Sequence, residues 1–428
     1  MSATADTRRP VSSEAPEHGV AGQIAAFRRA LDRPLAPYYL LLGATGLLLA
    51  IGLIMVLSAS SVDSYEHHNG NSYYWATKQL MWVCIALPCA WIATRLPLKF
   101  LRFVAWPMVA VSLVLLVLTQ TSLGVEVNGN KNWLGLGPIQ IQPSEIAKFS
   151  MVLWCADVYA RKDALLGSWR HFFIPIVPVT GLLTALVLVG GDLGTALVLF
   201  AITLGLFWVV GVPARIFVAA VSVVSVAALY LAASSPERLN RITSFVNPFE
   251  DFQNSGWQAG HGILGMASGG ILGKGIGASQ QKWGNLPEAH TDFIFAVLGE
   301  ELGLVGTLLV LFLFLVIAYA GIRVAMQTDQ LFVRYATAGV VIWLMAHVII
   351  NIGMVLALLP VIGIPLPLVS YGGSSLVPEL VALGLVIGFA RMEPAAAGAL
   401  RRTRQERRTE RLRARSAVSA GARPRRSS

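Results

Sequence analysis

The sequence predicts an all-α polytopic membrane protein: ten transmembrane helices, both termini cytoplasmic, and a large outer loop between helices seven and eight. Three observations carry that prediction. Of the 428 residues 55% are hydrophobic and 13% charged, where a soluble domain carries about 25% charged, and the mean hydropathy is +0.64. Ten apolar stretches approach the roughly 20 residues a bilayer-spanning helix needs. Basic residues fall almost wholly on one side of the resulting topology. Too few polar side chains remain to face water, which excludes a soluble enzyme, a disordered chain and a disulfide-stapled secreted domain.

Residues 1–37 form a polar cytoplasmic tail, within which 20–33 (VAGQIAAFRRALDR) could lie as an amphipathic helix on the inner surface before Pro34. The membrane domain, 38–392, carries spans at 38–59, 74–94, 101–119, 144–160, 172–190, 193–210, 213–233, 293–320, 335–357 and 370–391. Segments this long and apolar must satisfy their own backbone hydrogen bonds, so they are helices. The 144–160 segment is short and charged, and 172–210 is divided by the turn Gly190-Gly191-Asp192. Two outer loops are long: 120–143, and 234–292 with ten glycines between Gly256 and Gly284. Loops of such length are usually functional or disordered. Interleaved Trp, Ile and Leu predict that the second folds back on the membrane. The tail 393–428 is rich in Ala, Arg and Ser and reads as disordered, either solvated or drawn to anionic lipid.

With the N-terminus inside, 26 of the 33 basic residues lie on the inner side and six on the outer, with Lys148 inside a span. That is the direction of the positive-inside rule. The net charge of +10 therefore reports topology rather than nucleic-acid binding. The N-terminus carries no short apolar core with a small-residue cleavage site, so no cleaved signal peptide is expected. Cys84, Cys89 and Cys155 all sit in apolar runs, as small buried hydrophobes.

Several motifs fail on inspection. Gly273-Lys274-Gly275-Ile276-Gly277 lacks the Ser or Thr that a phosphate-binding loop needs after its Lys. The seven histidines show no zinc-ligand spacing. Ser370 is not in a Gly-x-Ser-x-Gly elbow. What remains are ionisable residues at membrane depth, which are costly and so functional candidates. Glu145 and Lys148, three apart on one helix face, can pair, either to close the bundle or to serve the site. Asp292, where the glycine-rich loop enters helix eight, is either a helix cap or a reactive carboxylate. Glu300 and Glu301, about two turns deeper, either tune the fold or resemble a transporter's proton site. Asp192 reads mainly as the cap of helix six.

Three segments, GPIQIQPSEIAK, NLPEAHTDFIFAVLGEELG and NIGMVLALLPVIGIPLPLVSYGGSS, together resemble the SEDS family (shape, elongation, division and sporulation) across roughly 38–392. The likeness is greater to its cell-division branch than to its elongation branch, on Ala289 in Pro-Glu-Ala-His-Thr-Asp and on the basic tails. Two departures stand out: Ala357 where the family usually has Gly, and Gly190-Gly191 where Gln-Pro is common. The resemblance implies a peptidoglycan glycosyltransferase that polymerises lipid II on the outer face of the bacterial cytoplasmic membrane at the division septum. It implies Asp292 as the catalytic aspartate and Glu145 with Lys148 as the supporting cavity pair. It also implies a nascent glycan strand, a class B penicillin-binding transpeptidase and other divisome membrane proteins as partners, and no nucleic acid.

The residue types suit that chemistry. A sugar 4-hydroxyl is a poor nucleophile and needs a base; an interfacial, low-dielectric setting should raise the pKa of Asp292 toward that role. The lipid pyrophosphate that leaves needs cations, aimed N–H groups or a divalent metal such as Mg or Mn, whose ligands the sequence does not identify. Arg238, Arg241, Lys274, Lys282 and His290 are candidates for the outer charge, with solvated surface positions as the alternative. Asn351, Pro360, Gly363, Pro365, Pro367, Ser370, Tyr371, Gly372 and Gly373 predict broken backbone that lines or supports a cavity. Gly43, Gly46 and Gly52 permit either close packing or a lipid groove. A lipid II flippase and a division scaffold with an inert core are the alternatives to the polymerase.

Overall fold

The computed structural model describes residues 31–398 except 128, 137–138, 167, 234–246 and 255, together with isolated positions 22, 29, 402, 405 and 409. Most of the expected amphipathic helix at 20–33, most of the 393–428 tail, and Arg238 and Arg241 lie outside the described residues.

Each of the ten expected segments contains a helix. They are α1 (Ala36–His67), α2 (Tyr74–Ala93), α3 (Leu98–Thr119), α4 (Pro143–Lys162), α5 (Ile176–Val189), α6 (Leu193–Val210), α7 (Ala214–Ala233), α9 (Ile294–Gln327), α10 (Leu331–Val355) and α11 (Leu376–Met392), with α8 (Trp257–Gly269) added by the outer loop. Eight of the apolar helices, α5 counted with the short helix before it and α11 with the turn Gly373–Ser375, are long and apolar enough to cross a bilayer. The chain is thus a polytopic helical membrane protein. The other two are α4 and α7: α4 carries Glu145, Lys148, Asp157, Arg161 and Lys162, and α7 contributes the apolar helical stretch Ala214–Ala227. α1 continues eight residues past the expected end at 59 because nothing in SSVDSYEH breaks a helix before Gly70.

The charges on α4 are tolerable because it is a central helix, not a lipid-facing one. Sixteen of its 20 residues are buried. It packs against α3 and α10, while α11 packs on α2 and α9 on α1. Close approach along α11 uses Gly384 and Gly388: added Cβ atoms would come within 2.4 Å of Ala90 O and 2.8 Å of Thr94 O. Among the α1 glycines, Gly52 is pressed against Leu368 O, whereas Gly43 and Gly46 face open space.

One correction concerns the all-α expectation. The 120–143 loop forms a three-stranded antiparallel sheet of β1 (Gly124–Val127), β2 (Asn130–Leu136) and β3 (Ile139–Ile141). Val127 pairs with Asn130 across Asn128-Gly129, a dipeptide that favours a two-residue hairpin, and Gly129 has the positive φ (78°) this needs.

The large outer loop does fold back, and it does so by entering a helix. α9 is interrupted at Gly303 (φ 68°, ψ −164°), a conformation essentially confined to glycine. The break frees backbone groups that lipid cannot satisfy. Residues 270–275 satisfy them: Lys274 N and Gly275 N donate to Glu300 O and Glu301 O (both 3.0 Å). In return Leu304 N and Val305 N donate to Gly270 O (2.9 Å) and Ile271 O (3.1 Å).

Two substitutions test the backbone account. Gly303→Ala is expected to destabilise the protein by at least about 1–3 kcal/mol, since its Cβ would also meet Gly273 N at 2.3 Å. Ala357 holds φ 52°, so Ala357→Gly should relieve about 1 kcal/mol of left-handed strain. Thermal unfolding in detergent reads both, with midpoints moving down and up respectively.

Candidate functional site

The break in α9 is fixed by side chains as well as backbone, and this is where two expected cations lie. Glu300 accepts from Lys274 Nζ (2.8 Å), Ser279 Oγ (2.6 Å) and the Gln280 and Gln281 backbone N–H groups (3.1 and 3.3 Å). Glu301 accepts from Ser58 Oγ (2.6 Å) and lies 3.7 Å from Lys282 Nζ. Both carboxylates are buried. Lys274 and Lys282 are therefore already paired with carboxylates of α9, and the two glutamates staple the loop to α9 and α9 to α1.

Asp292 lies just before α9, and its surroundings are built from three chain segments. The N-cap of α9 is Phe293, with no side-chain cap, so Asp292 does not spend its carboxylate on the helix. Its main chain is pinned instead. Asn351 Nδ2, from α10, donates to Asp292 O (2.8 Å) and Ile364 O (2.7 Å). Ser370 Oγ donates to Thr291 O (2.6 Å) and accepts from Leu366 N (2.8 Å). Tyr371 N donates to His290 O (2.9 Å). Gly363, at φ 77°, leaves its missing Cβ 3.4 Å from Asp292 Oδ2. The segment 357–373 is indeed broken backbone, left-handed at Ala357 and Leu368 as well as at Gly363 and Gly373.

The Asp292 side chain is half-buried, and no hydrogen bond or ion pair to it is found among the described residues. Burial, reinforced by the charges of Glu288 and Asp192, pushes its pKa up to about 7. Asp192 itself caps α6, accepting from Thr195 N (2.8 Å), and takes a bond from Gln142 Nε2 (3.2 Å). Burial lowers the pKa of His290, against the opposing pull of Glu288 and Asp63. Its ring is thus held toward the neutral form, a hydrogen-bonding group rather than a cation. It stacks on Trp75 at 5.4 Å, and Tyr371 meets Trp75 edge-on at 5.0 Å.

Deeper in the bundle lies the expected Glu145–Lys148 pair, at 2.8 Å and almost wholly buried. It is larger than the sequence reading had it. Lys148 Nζ also contacts His347 Nε2 at 3.0 Å, and His347 Nδ1 faces Glu379 Oε1 at 3.9 Å. Glu379 Oε2 in turn accepts from Leu368 N (3.4 Å), in the broken segment behind Asp292. His347 and Glu379 were missed although the rule that selected Glu145 and Lys148, an ionisable group within an apolar span, applies to them equally. Among the described residues no three His, Cys, Asp or Glu side chains converge as a metal's ligand set.

Comparison with known proteins gives concordant likenesses. A family model described as cell cycle protein, covering FtsW, RodA and SpoVE, matches residues 39–394. The chain is 39% identical over 400 residues to the probable peptidoglycan glycosyltransferase FtsW of Mycobacterium tuberculosis, spanning 93% of this chain and 76% of that one. Against the stage V sporulation protein E of Bacillus subtilis the identity is 36%, over 83% of this chain and 97% of the relative. Among solved structures it resembles Thermus thermophilus rod shape determining protein RodA (TM-score 0.62, 27% identity, 83% and 97% covered). It also resembles a chain of a peptidoglycan synthase complex in which polymerization and crosslinking are structurally coordinated (TM-score 0.67, 27% identity, 83% and 97% covered).

The buried pair has an energetic signature. Lys148→Met alone strands the Glu145 carboxylate and is expected to cost about 3–5 kcal/mol, whereas adding Glu145→Gln should recover most of that loss. A double-variant cycle on thermal unfolding midpoints measures the coupling.

Proposed function

Because the chain belongs to the FtsW/RodA/SpoVE family of cell cycle proteins, we propose a mechanism in which Asp292 is its general base. The protein is a peptidoglycan glycosyltransferase that polymerises lipid II. The acceptor sugar's 4-hydroxyl gives its proton to the Asp292 carboxylate as its oxygen attacks the anomeric carbon of the lipid-linked strand. The new bond is O4–C1. The bond that breaks is C1–O to phosphate, and its electron pair leaves with undecaprenyl pyrophosphate.

The observation that carries this reading is the Asp292 carboxylate itself. It has no internal partner among the described residues, its main chain is fixed by Asn351 and Ser370, and its pKa is about 7. A base whose pKa lies near the working pH combines a useful deprotonated fraction with useful proton affinity, contributing about 10²–10⁴-fold. The pinned backbone supports this role, because a base displaced by an ångström loses much of its effect. Glu145 and Lys148, sealed from the outer surface with His347 and Glu379, support the cavity rather than meet substrate. Asn351, Gly363, Ser370 and Tyr371 shape it. Arg238 and Arg241 are proposed as phosphate contacts from the sequence alone, while Lys274 and Lys282 have their charges engaged by Glu300 and Glu301.

The topology we propose has ten spans and cytoplasmic ends, supported by the 26-to-6 partition of basic residues. That puts Asp292 at the outer face, where the substrate saccharide is presented. The cellular site is the division septum. The partner is a class B penicillin-binding transpeptidase, acting with other divisome membrane proteins, supported by the likeness to a chain of a peptidoglycan synthase complex.

The test is polymerisation of labelled lipid II by purified protein in liposomes, with and without a cognate transpeptidase. Long strands are expected from the parent chain and none from Asp292→Asn. Activity should rise with pH through a limb near 7, as the raised carboxyl loses its proton. Near-normal strands from a folded Asp292→Asn would remove Asp292 from the role. Lipid II crossing the bilayer without strand formation would make the protein a flippase.

A further inference from the structure

The geometry points to Lys78 as the residue that holds the diphosphate of the lipid-linked donor, with Trp75 and Tyr74 as its seat. The inference rests on the polymerase reading and assigns a binding residue within it. The outer cations fall into distinct states. Lys274 and Lys282 are spent on Glu300 and Glu301, and Lys131 reaches the Gln120 carbonyl. Lys78 has no carboxylate partner among the described residues. Its ammonium lies over two ring faces instead, 4.5 Å from the centroid of Tyr74 and 5.3 Å from that of Trp75. Cation–π contact orients an ammonium without neutralising its charge, so the charge is kept for an anion.

Its position fits the reaction. Lys78 is on the first turns of α2, with Trp75 and Trp82 at i−3 and i+4 on one helix face. Trp75 stacks on His290, two residues before Asp292, and touches Tyr371. Gly373 lies against Trp82, its missing Cβ 3.6 Å from the indole nitrogen. The same face therefore meets both segments that frame the base. Trp75 is itself fixed, its Nε1 donating to Asp63 Oδ2 at 2.8 Å. A diphosphate seated on Lys78 would keep its leaving oxygen near a positive charge while the C1–O bond breaks. The half-exposed rings beside it offer apolar faces to the sugar's C–H groups.

Binding and turnover are separated by working in Asp292→Asn protein, which holds substrate without consuming it. The probe is fluorescent lipid II in nanodiscs of neutral lipid. Lys78→Gln is expected to weaken binding by about tenfold or more, the loss of one charge-assisted contact. Lys78→Arg should stay within about threefold, because the charge is retained. Inorganic pyrophosphate should compete with lipid II on the Lys78 protein and not on Lys78→Gln. Equal binding by Lys78→Gln, or equal loss in Gln and Arg variants of unchanged melting temperature, overturns the assignment. So does a Lys78 effect confined to phosphatidylglycerol nanodiscs, which would mark a contact with bulk anionic lipid. Lys78-dependent lipid II binding in a protein that never forms strands would instead refute the polymerase and leave this site standing.

Discussion

Every backbone polar group at membrane depth needs a partner from within the protein, and the site depends on how the chain meets that demand where its helices break. A reactive carboxylate with free access cannot sit inside a continuous, self-satisfied helix facing lipid. It needs irregular backbone around it. The chain supplies two irregular segments, the interruption of α9 at Gly303 and the stretch from Ala357 to Gly373. Each is closed by another part of the chain. Residues 270–275 fill the first through four backbone hydrogen bonds. Asn351 and Ser370 tie the second to the main chain of Thr291 and Asp292. The main chain at Asp292 is held by the side chains of Asn351 and Ser370, and its carboxylate is left without a partner among the described residues.

The charges follow the same logic of use and reserve. Ion pairs that are buried complete the fold: Glu300 with Lys274, Glu301 with Lys282, and Glu145 with Lys148. Asp157, wholly buried, is shared between Arg102 and Arg161. A buried charge that lost its partner would be severely costly, so these groups are committed. The half-buried groups near Asp292 are different in kind. Asp292 and Lys78 carry no opposing charge among the described residues, and His290 is held toward neutrality by burial. These groups lie on neighbouring segments joined by the Trp75–His290 stack.

Strain also collects around Asp292. Glu288, Ala357 and Leu368 hold left-handed backbone without being glycine; Glu288 starts the turn into Asp292, and the other two lie in the segment behind it. Such conformations persist only when their surroundings over-determine them. The Leu368 N–H bonded to Glu379, and the Leu368 O pressed on Gly52, provide that support. The family's usual glycine at 357 would fit this backbone with less strain, which is the physical content of that departure. At the other departure Gly191 takes φ 88°, unavailable to proline, so the turn before Asp192 follows a different course here.

Composition, span length and charge asymmetry were enough to determine a polytopic helical membrane protein, because the bilayer allows so few solutions to an apolar chain of this kind. Motif residues located Asp292 and the Glu145–Lys148 pair for the same reason: ionisable groups are conspicuous at membrane depth. The Asn128-Gly129 hairpin signal is present in the sequence, within a segment whose length read only as an outer loop. Tertiary structure alone decided which lysines are spent. Nothing in the spacing of Lys274 and Lys282 marks them as paired, because Glu300 and Glu301 lie 26 and 19 residues away, whereas Lys78 rests on rings of its own preceding turn. It likewise extended the buried pair to His347 and Glu379, some 200 residues distant along the chain. Long-range pairing is set by how helices pack, and a single sequence records its periodicity but not its neighbours.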